Sequence, residues 1–263
     1  MSTVPASLRA QALEPWIPIL AMTATLKVSE FEEVVDMLCI DDSKLVKITS
    51  SPVLPHYKLF NIERPNSFYG TKNGPGSKHL LDRLVLDKFD KCVTSNDFTL
   101  FPKTIIFVKH LDDGIDLNCL LTYRYKNIPN NVRPWAFVHS QKKEVSMQHI
   151  QNCCNNDSVK IIITTPKLLM GVNLSKFYQV IMLGPYGMMA DLTQALGRAG
   201  RREEGGRGLS ILYNCWNNID ISQHVSDDVK EFCKTKLCLK SFMHKYYTNE
   251  DLCFGGDWCC NNC

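Results

Sequence analysis

No stretch of this 263-residue sequence approaches the roughly twenty continuous apolar residues that a membrane-spanning helix requires. The most apolar run near the start, Trp16 to Met22, is short and is interrupted by Pro18. The opening segment, MSTVPASLRAQALEPW, has no basic stretch followed by an apolar one, so it does not read as a secretory signal. A soluble, intracellular chain with no membrane partner is the expectation. Excess charge is missing too. The formal net charge of +3 is too small for a broad nucleic-acid-binding surface, so any such contact has to come from local geometry. Also absent is a GxxxxGKS or GxxxxGKT loop, whose backbone amides would cradle phosphates. Its nearest counterpart, Gly74-Pro75-Gly76-Ser77-Lys78, has the wrong spacing, and Pro75 lacks an amide. No DExH segment is present to hold magnesium and orient water.

Cysteine is abundant. Of 12 cysteines, six fall in the last 31 residues: Cys233, Cys238, Cys253, Cys259, Cys260 and Cys263. Without an export signal, such a cluster suggests a metal before it suggests disulfides. Cys39, Cys92, Cys119, Cys153, Cys154 and Cys215 lie scattered among apolar neighbours and read as small buried hydrophobes. Hydrophobic residues at 44% and charged residues at 22% give the balance of a globular chain, long enough for one domain and part of another.

Short apolar runs alternate with helical patterns. Strands are expected at Ile17–Thr23, Leu45–Thr49, Thr104–Val108, Trp135–His139, Lys160–Thr165, Val180–Leu183 and Leu209–Tyr213. Several are apolar throughout, as strands buried on both faces of a parallel sheet are. Ser29-Glu30-Phe31-Glu32 has capping-box spacing and opens a helix expected to bury Phe31, Val34, Val35 and Leu38. Lys78–Phe89 and Glu144–Cys153 also read as amphipathic helices. The alternation specifies an α/β layered fold. The Gly-, Asn- and Ser-rich stretch Asn66–Ser77 reads as a linker, and past about Asn214 a helical, cysteine-rich tail replaces the strands. Three pieces result: 1–65, 66–215 and 216–263. The first offers too little to cover both faces of a parallel sheet, so it is expected to be the end of a larger domain.

The strongest chemical signal is Gln194-Ala195-Leu196-Gly197-Arg198-Ala199-Gly200-Arg201. Asp191 and Gln194 stand at capping-box spacing, and a helix starting near Asp191 would place residues 194, 198 and 201 on one face. Gly197 and Gly200 remove bulk, so another backbone or a ligand can approach closely. Two guanidiniums there can grip phosphate oxygens. On spacing alone, a solvated basic helix end is an equal reading.

The segment resembles motif VI, QxxGRxGR, of the helicase superfamily that contains the DEAD-box and RecQ proteins. Other motifs stand in the expected order. Ala21-Met22-Thr23-Ala24-Thr25 looks like motif III, Thr104-Ile105-Ile106-Phe107-Val108 is similar to motif IV, and Thr164-Thr165 through Met170-Gly171-Val172-Asn173 resembles motif V. Arg64-Pro65-Asn66 resembles a RecQ signature between the motor lobes. The tail, with Cys238 and then Cys253-x6-Cys260-x2-Cys263, is similar to the RecQ zinc-binding subdomain. Departures from the family pattern are Arg202-Glu203 in place of Asp-Gly, Leu168-Leu169 in motif V, and Asn261 where Asp is common.

The resemblance implies a RecA-like parallel sheet flanked by helices, with a small helical zinc-binding tail. By its pattern 1–65 would be the remnant of a first RecA-like lobe, 66–215 the second lobe, and 216–263 the zinc subdomain. It further implies an ATP-dependent 3′–5′ DNA helicase, nuclear, of which this chain holds about half the core and would be inactive alone. Arg198 and Arg201 would reach the γ-phosphate of ATP held with Mg by the missing lobe. Gln194, Gly171 and Asn173 would serve the nucleotide, Thr164, Thr165 and Arg64 the DNA, and Thr23 and Thr25 the coupling between them. Cys238, Cys253, Cys260 and Cys263 would hold zinc, with Cys259 able to replace Cys253 or Cys260, since spacing does not distinguish them. A buried or disulfide-linked cysteine cluster is the alternative there. The rival functions are a non-catalytic, zinc-stabilised module binding DNA, an intact helicase or the missing lobe, and an RNA helicase relative.

Overall fold

The computed structural model describes residues 23, 25–38, 40, 43, 45–48, 50–51, 53, 55–63, 85–139, 144–165, 177–200, 206–214 and 225–263. Within them runs a parallel six-stranded sheet: β1 (Tyr57–Glu63), β2 (Thr104–Val108), β3 (Trp135–Val138), β4 (Ile161–Thr164), β5 (Gln179–Leu183) and β6 (Gly208–Asn214), in the order β1-β6-β5-β2-β4-β3. The helices are α1 (Phe31–Met37), α2 (Asp87–Ser95), α3 (Leu111–Arg124), α4 (Glu144–Asn155), α5 (Met189–Leu196), α6 (Asp227–Lys234) and α7 (Leu239–Thr248). The parallel sheet with flanking helices and the helical, cysteine-bearing tail are the expected α/β architecture.

Every residue of β2 is buried, because alternate side chains enter two separate cores. Ile105 and Phe107 join Ile162, Val180, Met182 and Leu212 on one face. Ile106 and Val108 join Ile161, Ile163, Ile181, Leu183 and Ile211 on the other. α2 and α3 close that second face through Phe89, Leu117 and Leu121. The Phe89 ring sits edge-on to Phe101, Tyr125 and Trp135 at centroid distances of 5.2, 5.0 and 6.2 Å, an arrangement suited to the ring quadrupoles. α5 closes the first face through Leu192 and Leu196, and beside it lie α6 (Val229, Phe232) and α7 (Leu239, Met243). The tail helices therefore share one core with the sheet.

Several local expectations change. β1, in the stretch assigned to the first-lobe remnant, is a strand that the apolar pattern does not mark, and it pairs with β6 in parallel along its whole length. Residues 45–48, expected in a strand, form none, and Val46 and Ile48 are 81% and 91% exposed. Among the described residues no strand pairs with them, and β-branched character alone does not make a strand. The capping contact falls one turn earlier than expected: Lys27 N–H donates to Glu30 Oε2 (3.2 Å) across the 3-10 turn Val28–Glu30, and α1 follows from Glu30 with no side-chain cap, from Ser29 or otherwise. Of the four apolar residues expected inside only Val35 is fully buried. The expected strand Ile17–Thr23 lies outside the described residues except for Thr23. Among the described residues no helix is long and apolar enough to cross a membrane.

Candidate functional site

α5 begins two residues before the expected start. Asp191 occupies its first turn and accepts from the Met188 N–H at 3.0 Å, so it caps the helix from inside. The helix ends at Leu196, before Arg198, so residues 194 and 198 are not on one continuous helical face. The cause is the glycine pair. Gly197 N–H donates to Thr193 O at 2.9 Å, and Arg198 and Ala199 follow with short-range bonds to Ala195 O (3.2 Å) and Leu196 O (3.3 Å). Gly200 then turns left-handed at φ +72° and donates to Phe177 O at 2.8 Å. A Cβ there would stand 2.9 Å from Gly208 N and 3.0 Å from His56 O, so only glycine lets this turn meet the start of β6. The close approach of another backbone is present at Gly200, against Gly208 and His56, while Gly197 meets only the preceding turn of its own helix.

Gln194 and Arg198 are half-buried at this end of α5. Gln194 Nε2 donates to Thr25 Oγ1 at 3.3 Å, joining residues 169 positions apart that were expected to serve nucleotide and coupling respectively. Thr23, exposed, accepts from the Thr25 N–H at 3.4 Å. Thr164, expected to meet nucleic acid, is fully buried at the end of β4, where its hydroxyl donates to Thr165 O at 3.1 Å. Thr165 is half-buried. Arg201, Gly171, Asn173 and Arg64 lie outside the described residues.

The tail gathers four sulfurs. Cys238, at the N-terminus of α7, and Cys259, Cys260 and Cys263 place their Sγ atoms within 4.8 Å of one another. Individual separations are 3.3 Å (Cys238–Cys259), 3.9 Å (Cys238–Cys260) and 3.4 Å (Cys260–Cys263). Zn–S bonds of about 2.3 Å in a tetrahedron require sulfurs roughly 3.8 Å apart, so the donor set fits zinc. Cys253 is exposed and outside this group, and Cys259 takes its place, one of the two replacements that the spacing leaves open. The reason is local: Cys259 N–H bonds Gly256 O (3.1 Å), and its carbonyl accepts from Leu59 N–H (3.0 Å), which turns residue 259 inward.

Backbone amides serve the sulfurs: Leu239 N–H donates to Cys260 Sγ and Ser241 N–H to Cys238 Sγ, both at 3.4 Å. Burial opposes ionising Cys238, but hydrogen bonds from Ser241, then from Cys259 and Cys263, outweigh it and bring the thiol down to about 6. Burial and the neighbouring thiols push Cys259 upward and Cys263 up to about 12. A metal bound by these cysteines would displace their thiol protons. A divalent ion with four thiolates keeps two negative charges, and the neighbouring cation is Lys240, 2% exposed and 5.0 Å from the Tyr57 ring centroid. Burial lowers the pKa of Lys240, while the four cysteines oppose that.

The cysteine turn is fastened to the edge of the sheet. Cys260 forms a parallel bridge with Leu59, and Asn261 N–H donates to Leu59 O at 3.1 Å. The Asn261 amide then contacts both backbone groups of Asn61, accepting from its N–H at 2.9 Å and donating to its carbonyl at 3.0 Å. A carboxylate has no proton for the second bond. Asn261→Asp is therefore expected to lower stability by about 1 kcal/mol, the low end for a lost bond because the site is exposed. An unchanged urea midpoint would show that the double contact contributes nothing.

Comparison with solved structures returns a yeast DEAD-box splicing factor, Prp28, at 17% identity over 65% of this chain and 31% of that one, with a TM-score of 0.42. Dbp5 of S. cerevisiae, bound to RNA and ADP BeF3, matches at 15% identity over 84% and 54% of the two chains, with a TM-score of 0.49. Domain 2 of the DEAD-box helicase Mss116p, bound to an RNA duplex, matches at 14% over 67% of each, with a TM-score of 0.44. The chain thus spans about a third of the length of the first and about half of the second. Residues 87–203, which include Gln194, Arg198 and most of the sheet, match the family model of the helicase conserved C-terminal domain.

Proposed function

We propose that this chain is the second motor lobe and zinc-binding tail of a RecQ-like, ATP-dependent DNA helicase that moves 3′ to 5′. The carrying observation is that one sheet bears both the Gln194–Arg198 turn, within the helicase-type match, and a four-thiol tail fastened along β1. The Arg64-Pro65-Asn66 signature and the order of the motifs support the same reading. In the complete enzyme ATP and Mg would be held mainly by a P-loop-bearing lobe, and Arg198 with Arg201 would meet the γ-phosphate. ATP bound there supplies the phosphoryl group whose transfer drives unwinding. This chain's part is to present the Arg198 guanidinium on the turn that closes at Gly200. A nuclear location follows from the family resemblance.

Competition binding tests the nucleic-acid class. Fluorescence anisotropy of a labelled single-stranded DNA on the purified chain should show unlabelled DNA displacing it at lower concentration than RNA of the same sequence. Displacement by RNA at lower concentration than DNA would replace the DNA reading with that of an RNA helicase relative. The pure chain is expected not to hydrolyse ATP, since its sequence has neither the P-loop lysine nor the DExH carboxylates.

A further inference from the structure

Two adjacent tyrosines of α7 lie at the junction of three elements. Tyr247 is 3% exposed, and its hydroxyl shares a hydrogen bond of 3.0 Å with Thr193 Oγ1, itself 4% exposed. Thr193 directly precedes Gln194, and its carbonyl accepts the Gly197 N–H that starts the turn carrying Arg198. Tyr246, its ring 4.9 Å from that of Tyr247 and nearly perpendicular to it, donates from its hydroxyl to Asp228 Oδ2 at 2.8 Å. Lys27 closes the group: its Nζ is 3.2 Å from the same carboxylate oxygen and 4.0 Å from the Tyr246 ring centroid. Two residues before Lys27 stands Thr25, the acceptor for Gln194. The contacts form a closed circuit: Thr25, Gln194, Thr193, Tyr247, Tyr246, Asp228 and Lys27.

We propose that Tyr247 and Tyr246 are positioning residues, through which the tail fixes where α5 ends and how the Thr23–Lys27 segment lies against it. Hydrogen-bond energetics favour such a role. In a buried place the Thr193 and Tyr247 hydroxyls satisfy each other, and separating them leaves two polar groups without water. Tyr246 acts differently: its hydroxyl donates to Asp228 and its ring faces the Lys27 ammonium, which keeps the two together at a half-exposed site. The importance of α5 for nucleotide chemistry rests on the helicase reading above, whereas the circuit itself needs no nucleotide.

Amide hydrogen exchange on the full chain tests this without ATP. Tyr247→Phe should speed exchange of the amides from Thr193 to Ala199 about fivefold or more, the factor expected for one buried neutral hydrogen bond. Amides of β2 and β4 should be unchanged. Thr193→Val should reproduce the effect, Thr193→Ser should behave as wild type, and Tyr247→Phe combined with Thr193→Val should be no worse than either alone. Tyr246→Phe and Lys27→Met should speed exchange only over residues 25–30. A packing role predicts the opposite order at Thr193, with the near-isosteric valine harmless and serine harmful. That order, an unchanged α5, or a rise spread through the sheet would each overturn the proposal. A preference for RNA in the binding experiment would overturn the DNA-helicase reading and leave the circuit standing, so the two failures are distinguishable.

Discussion

Cys260→Ser is expected to remove the metal from the tail and to loosen the cysteine turn from the sheet edge. The native chain should carry about one zinc per molecule by elemental analysis, and a strong chelator should lower its melting temperature. Small zinc modules draw about 10–16 kcal/mol of apparent folding free energy from the metal. The loss here should be smaller, because Val229, Phe232, Leu239 and Met243 remain packed on the sheet without it. It should still be the largest of any single substitution in the tail. Cys260 is 4% exposed and bridges Leu59, so losing its place frees the cover of β1 as well as a ligand. Cys238→Ser should act alike. The informative contrast lies between the remaining cysteines. With the sulfurs grouped as Cys238, Cys259, Cys260 and Cys263, Cys259→Ser should lose zinc and Cys253→Ser should keep it. The reverse result would restore the ligand set drawn from the family spacing. Protein purified without metal and indifferent to chelator would sink both.

The second large effect is expected at Arg198. In a longer polypeptide where a P-loop-bearing lobe precedes this chain, Arg198→Ala should lower kcat for ATP hydrolysis by about 10³–10⁵, as loss of an arginine finger does elsewhere. The guanidinium would meet charge that develops on the transferred phosphoryl oxygens, so the loss should fall on kcat while the KM for nucleic acid changes little. Arg198→Lys should not rescue it, because an ammonium lacks the planar fork that holds two phosphate oxygens at once. A half-buried side chain on a turn locked by Gly200 at φ +72° suits that task, since the turn costs no rearrangement during the reaction. An unchanged kcat in Arg198→Ala would remove the finger assignment.

Both experiments address residues that the sequence singled out, but with unequal sharpness. Gln194, Arg198 and the two glycines were legible because the chemistry is written in consecutive residues. The metal ligands were legible as a group and ambiguous in membership, since Cys259 and Cys253 differ in what their backbones bond to and not in residue type. Thr193 with Tyr247, and Lys27 with Asp228 and Tyr246, join positions 54, 201 and 18 residues apart. No local pattern marks such pairs.

The same division runs through the fold. By itself the sequence determined the interior strands: Thr104–Val108 was read with its observed bounds, and β3, β4, β5 and β6 within a residue or two. A strand buried on both faces must be apolar throughout, and that is a local property. It also determined the α/β class, the helix Glu144–Asn155 to within two residues, and the presence of a cysteine tail. Tertiary structure alone decided the edge. Tyr57–Glu63 mixes Lys58, Asn61 and Glu63 with apolar residues and becomes a strand because β6 lies on one side and Cys260 with Asn261 on the other. Leu45–Ile48 carries similar propensity, pairs with no strand among the described residues and stays out of the sheet. An edge strand is made by its neighbours, and neighbours exist only once the chain has folded.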